Sequence, residues 1–180
     1  MSKIIALTGK MGRGKTTALE RIMAYGDWTY VKFAGPLYKA QEAVYESLGL
    51  PFEAGKLKDR RLLQVLGTDW AREKDKDFWV NQWKEIVQFT NGNIITDDCR
   101  FLNESEAVRD LGGVVWKIDG NPRGSFISGE NHASEREIDL IKPDVIIYND
   151  GTLQEFNKAI EFNMQSIWDD GVSVKRGGNV

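Results

Sequence analysis

The sequence predicts a three-layer α/β/α domain around a mostly parallel five-stranded sheet. Short apolar runs alternate with helical patterns from one end to the other, which is the order that builds parallel crossovers. The first run, Lys3 to Thr8, is continuously apolar, as in a strand buried on both faces. A glycine-rich loop follows it directly and opens into residues 15–25, where Ala18, Leu19, Ile22 and Met23 recur at helical spacing.

The remaining elements follow in order. Thr29 to Phe33 reads as the second strand, and Gly35-Pro36 opens a helix that stops near Gly49, with Pro51 blocking its continuation. Residues 58–90 carry Leu62, Leu63, Val65, Leu66, Trp70, Phe78, Trp79 and Trp83, which predicts two helices joined by the charged stretch Arg72 to Asp77. Asn93 to Thr96 is a buried strand and Asn103 to Leu111 a helix, stopped by Gly112-Gly113. Val114 to Ile118 is the fourth strand, Val145 to Tyr148 the fifth, and Thr152 to Asp169 the last helix. Between them, Asp119 to Asn131 has loop composition and Ser134 to Ile141 suits a short helix. We expect one domain over 1–180: a helical insertion at about 36–90, a lid at about 119–136 and a frayed polar tail at about 171–180.

Composition narrows the function. The net charge of -3 argues against a general binder of nucleic-acid polymers. No apolar run approaches the roughly 20 residues of a membrane span, and the start of the chain lacks a signal-peptide core. The one cysteine, Cys99, excludes an internal disulfide and fits a reducing cytoplasm. With one histidine, His132, a zinc site is not expected.

Gly9-Lys10-Met11-Gly12-Arg13-Gly14-Lys15-Thr16 meets every fixed position of G-x-x-x-x-G-K-[ST], between a strand and a helix as that motif requires. Glycines at 9, 12 and 14 let successive main-chain N–H groups turn inward onto phosphate oxygens. The positive end of the helix starting at Lys15 adds to the cradle. Lys15 is placed to reach the β- and γ-phosphates of ATP, and the Thr16 hydroxyl to ligate Mg²⁺. Lys10, Arg13 and Thr17 complete the expected ATP-binding set. This is the sign of a P-loop nucleotide-binding fold; the loop does not say what receives the phosphoryl group.

Asn93 to Asp98 is an apolar strand ending in two acids, at the end where open α/β sheets bind ligands. Asp97 or Asp98 can hold water on the metal. Arg100 offers a planar fork for phosphate, with Asp98 or Glu104 to steady it. The alternative for Glu104 is a favourable first-turn residue of a helix capped by Asn103.

These segments resemble the deoxynucleoside monophosphate kinases of tailed bacteriophages, within the wider nucleoside and nucleotide kinase group. The resemblance is carried by the loop at 9–16, Phe33-Ala34-Gly35-Pro36-Leu37, Leu62 to Thr68 with Arg72, Asp98-Cys99-Arg100-Phe101 with Glu104, His132-Ala133-Ser134-Glu135, and Asn149-Asp150-Gly151-Thr152-Leu153. It runs to about residue 160. It implies phosphoryl transfer from Mg-ATP to a deoxynucleoside 5′-monophosphate, several accepted bases, a possible homodimer, and a host-cytoplasmic location if the source is viral. It also implies that the insertion is the acceptor arm, that a lid closes after the fourth strand, and that the Asn149–Thr152 loop packs against adenine. For that loop the alternative is a helix cap by Asp150 or Thr152.

In the arm, Arg60, Arg61 and Arg72 are candidates for the acceptor phosphate, and Lys58 reads as solvated. Trp79 is the first choice for stacking on the base, against the alternative of core packing, and Gln64 for reading a base edge. Arg123 is the lid residue expected to stabilise the transferring phosphoryl group, with Arg136 a second candidate. The nearest rival readings are a nucleoside or dephospho-coenzyme A kinase, and a nucleotide-binding regulator without kinase activity.

Overall fold

The computed structural model describes residues 2–53, 57–121 and 137–169. Most of the expected lid and the tail from 171 onward lie outside these residues.

The sheet has five strands: β1 (Ile4–Thr8), β2 (Trp28–Tyr30), β3 (Asn93–Thr96), β4 (Val114–Asp119) and β5 (Val145–Tyr148). All pairs are parallel, in the order β2-β3-β1-β4-β5. β1 is central, with Ile5 registered against Ile95 of β3 and Val114 of β4. Because successive side chains of a strand face opposite ways, β1 feeds two cores. Ile4 and Ala6 join Val80, Trp83, Val108 and Val115 on one face. Ile5 and Leu7 join Leu19, Ile22, Trp116, Phe156 and Ile160 on the other. Helices α1 (Lys15–Met23) and α6 (Leu153–Asp169) cover the second face; α4 (Phe78–Gln88) and α5 (Leu102–Asp110) cover the first. Three layers result, as expected.

Between β2 and β3 lie α2 (Gly35–Ser47), α3 (Arg60–Gln64) and α4. Pro36 sits in the first turn of α2, where its missing N–H costs nothing. α3 runs on as a π-helical stretch, Val65–Arg72, instead of the expected regular helix. Such wide turns leave carbonyls off the regular ladder, and one of them, Gly67 O, accepts from the Trp79 indole N–H at 3.0 Å. A Cβ at Gly67 would come within 2.9 Å of Leu37, so glycine lets α2 approach this stretch closely.

β2 is shorter than expected. Val31 still donates to Ile95 O at 2.9 Å, but the next amides leave the ladder. Phe33 and Ala34 donate instead to the Asp98 carboxylate, at 2.9 and 3.0 Å. That diversion turns the chain over the carboxyl end of β3. Among the described residues, no helix is long and apolar enough to cross a membrane.

Candidate functional site

The loop after β1 has the backbone its sequence demands. Gly9, Gly12 and Gly14 hold φ of 132°, 78° and 102°, a region closed to most side chains. Two neighbours also press on it. A Cβ at Gly9 would meet Ile118 O at 2.2 Å, and one at Gly14 would meet Asn149 Nδ2 at 2.5 Å. The Asn149 amide donates to Arg13 O at 3.0 Å, so the end of β5 pins the loop. Lys15 Nζ curls back onto Gly9 O and Lys10 O, at 2.5 and 3.0 Å. The Lys10 side chain pairs with Asp139 at 2.9 Å on the surface.

Beside this loop opens a cavity of about 520 Å³. Gly12, Gly14, Lys15, Thr16 and Thr17 form one wall. Asp97, Asp98 and Arg100, from the end of β3, form a second, so the structure brings the glycine loop and the acidic strand together. Lys32, Tyr38 and Lys58 form a third wall, while Asn149, Leu153 and Phe156 flank the loop from β5 and α6.

The two aspartates do different work. Asp98 accepts from Phe33 N, Ala34 N and the Thr96 hydroxyl, the last at 2.7 Å. Its carboxylate therefore holds the turn after β2. Asp97 accepts from the Tyr30 hydroxyl. Burial and the charge of Asp97 push the Tyr30 phenol far above its ordinary value, so it stays protonated and donating.

Glu104 is 3% exposed and bonded on both oxygens. One accepts from Arg72 at 3.1 Å; the other accepts from Arg100 N and Phe101 N at 2.8 and 3.1 Å. The Phe101 bond satisfies the cap amide of α5, with Phe101, not Asn103, at the cap; the phenylalanine side chain returns no bond. Asn103 instead ties Lys76 O and Asp77 at 2.9 and 2.8 Å. The Arg72 guanidinium lies 3.9 Å from the Phe101 ring centroid. Burial outweighs the amides and Arg72 and raises the Glu104 pKa to about 7. Glu104 thus orients other groups, and its oxygens do not point at a substrate. Cys99 is buried and its thiol pushed well up, which suits packing and not nucleophilic chemistry.

Other expected residues fall outside the cavity. Arg60, Arg61 and Gln64 are exposed along α3 and do not line it. Asp59 caps this helix through Leu62 N at 3.0 Å. Trp79 is 6% exposed with its indole N–H engaged by Gly67. It lines a separate apolar cavity of about 270 Å³ with Pro36, Ala40, Trp70 and Phe78. Pro36 and Ala40 lie on the face of α2 opposite Tyr38, so Trp79 and the phosphate cavity stand on different sides of that helix. Arg123, Arg136 and His132 lie outside the described residues. Thr152 caps α6, exchanging bonds with Glu155 at 2.7 and 3.2 Å.

Sequence reasoning missed Lys32 and Tyr38 as wall residues; Lys58, read as solvated, is exposed and also borders the cavity, and Asn149 lies in the loop expected against adenine. One signal was present: Lys32 follows β2 at the carboxyl end of the sheet, where ligands bind.

Comparison with known proteins bears on the acceptor side. A family model described as deoxynucleotide monophosphate kinase matches residues 53–160, which begins after the glycine loop and α2 and takes in the rest of the arm and the acidic strand. A putative deoxynucleotide monophosphate kinase of Acanthamoeba polyphaga mimivirus is 29% identical over 183 residues, covering 87% of this chain and 93% of that protein. The deoxynucleotide monophosphate kinase of Enterobacteria phage T4 is 31% identical over 107 residues, 57% of this chain and 43% of the phage protein. Among solved structures, the dephospho-CoA kinase from Campylobacter jejuni superposes with a TM-score of 0.55 at 18% identity, over 94% of this chain and 100% of that one. That likeness is one of fold.

Proposed function

Because the chain belongs to the deoxynucleotide monophosphate kinase family, we propose that its cavity seats ATP on the Gly9–Thr16 wall and a deoxynucleoside monophosphate against Arg100. The enzyme is an ATP-dependent phosphotransferase that moves the γ-phosphoryl group to the acceptor phosphate, giving ADP and a deoxynucleoside diphosphate. The observation that carries the assignment to these residues is the facing of two walls across one cavity: main-chain amides and Lys15 on one side, Arg100 on the other.

The chemistry asks little beyond placement. An oxygen of the acceptor phosphate attacks the γ-phosphorus, the bond to the β–γ bridging oxygen breaks, and the electron pair stays on ADP. The acceptor oxygen is already anionic, so no general base is needed. Lys15 and the loop amides meet charge on the β- and γ-phosphates; Arg100 aligns the acceptor. Glu104 fixes the Arg100 peptide and Arg72 from behind.

The residues fit Mg²⁺. The oxygen donors at hand are the Thr16 hydroxyl and the carboxylates of Asp97 and Asp98, all on the cavity. Among the described residues no cluster of three ligating side chains competes for a softer metal. Thr16 would hold the ion directly and the aspartates through water, and the ion would neutralise phosphate charge.

Incubating the protein with ATP and a panel of acceptors tests the reading. ADP should form with deoxynucleoside monophosphates, and not with nucleosides or dephospho-coenzyme A. Turnover that ignores the acceptor, or that favours nucleosides, overturns it.

A further inference from the structure

We propose that Lys32 and Lys58, each set against a tyrosine ring, are the side chains that receive the phosphate of the monophosphate acceptor. The proposal rests on the kinase reading above and replaces the arm arginines with two lysines.

Among the described residues, four cationic side chains line the cavity: Lys15, Lys32, Lys58 and Arg100. Lys15 belongs to the donor wall, folded onto the carbonyls of its own loop. Lys32 stands on the far side by topology. It follows β2, and β3 lies between β2 and the strand that carries the glycine loop. Lys58 approaches from the segment before α3. Both are therefore on the side of the cavity that a second phosphate compound must enter.

Their geometry suits an anion. Lys32 Nζ lies 5.1 Å from the Tyr30 ring centroid, and Lys58 Nζ lies 5.5 Å from that of Tyr38. The rings steady the long stems while each ammonium keeps donors to offer. The supports are themselves anchored. Tyr30 donates to Asp97, and the turn that bears Lys32 is held by Asp98 through Phe33 N and Ala34 N. A phosphate monoester carries nearly two negative charges near neutral pH, which one arginine does not match. Two lysines and Arg100 around it do. Arg60 and Arg61 cannot substitute, since they leave the cavity with α3.

Lys32→Gln, Lys58→Gln and the double variant test this, with KM for a deoxynucleoside monophosphate and KM for ATP measured separately. Each single change should raise the acceptor KM about tenfold, and the double about 100-fold, as charged hydrogen bonds are lost. The ATP KM should stay within about twofold, and Lys58→Arg should recover most of the loss. Arg60→Gln should leave both constants unchanged, and unfolding midpoints check that each variant is folded. Wild-type turnover with an unchanged acceptor KM in the double variant overturns the lysine assignment alone, as does a rise in ATP KM without one in acceptor KM. Wild-type protein inactive with every deoxynucleoside monophosphate overturns the kinase reading and the lysine assignment with it.

Discussion

On the proposed donor side of the cavity, the groups offered to phosphate come from one run of eight residues, Gly9 to Thr16, and are mostly main-chain amides. On the proposed acceptor side they come from separate segments: Lys32 after β2, Lys58 before α3, and Arg100 after β3. The first wall is a local conformation that three glycines make accessible. The second exists only when β2 and β3 pair and α2 folds over them. A local cradle depends chiefly on its own residues, with the Asn149 amide as its outside support. An assembled wall depends on side chains that never touch substrate, such as Asp98, which holds the turn after β2, and Glu104, which holds Arg72 and the Arg100 peptide.

The contrast predicts different kinds of damage. Lys15→Ala removes the donor-side charge together with the bonds from Nζ to the loop's own carbonyls. Turnover should fall about 10³-fold with stability lowered by about 1 kcal/mol, read from initial rates and a denaturant melt. Near-normal rates would remove the loop from the chemistry.

Asp98→Asn acts through structure. Asparagine keeps one acceptor oxygen for the three donors Phe33 N, Ala34 N and Thr96 Oγ1, and turns an NH₂ toward at least one of them. We expect about 1–3 kcal/mol lost in urea unfolding and an acceptor KM raised about tenfold, with a smaller rise in ATP KM from the loss of one carboxylate near the metal. Equal damage to both substrates would erase the distinction between the walls.

Glu104→Gln should have the smallest effect and a pH signature. The Glu104 pKa is raised from 4.5 to about 7 in the folded protein. Between those values the native state binds a proton that the unfolded state has released, so this group makes stability decline as pH rises through the window, and no further above it. Positioning has the opposite sign. Only the ionised carboxylate accepts from Arg72 and from both amides, so acceptor affinity improves as pH passes 7. Glutamine abolishes both trends. The substrate's own ionisation near about pH 6 stays in both proteins, so the difference between wild-type and variant profiles isolates Glu104. Parallel profiles would leave Glu104 without a positioning role.

Much of this molecule was legible beforehand, for uneven reasons. Strands β3 and β5 match the expected limits because their apolar runs are short and bounded. The glycine loop was legible because its function is written into consecutive residues. β2 was misjudged at its end, since Val31 to Phe33 looks extended until the Asp98 carboxylate, 65 residues away, takes the Phe33 amide. The π-helical turn of Val65–Arg72 was invisible, because its Gly67 carbonyl finds its donor on α4. Trp79 looked like a ligand-stacking residue for the same reason: its partner lies on another element.

Composition, periodicity and one motif by themselves determined a parallel α/β/α protein with a phosphate cradle after its first strand. Those features depend on neighbours in sequence, through backbone freedom at glycine and the period of apolar residues. Only the tertiary structure decided which cations face the cavity. Lys58 and Arg60 are two residues apart, alike in charge and both exposed, yet only Lys58 of the two borders the cavity. Which way a long side chain points depends on what packs beside it, and that is settled by contacts between segments far apart along the chain.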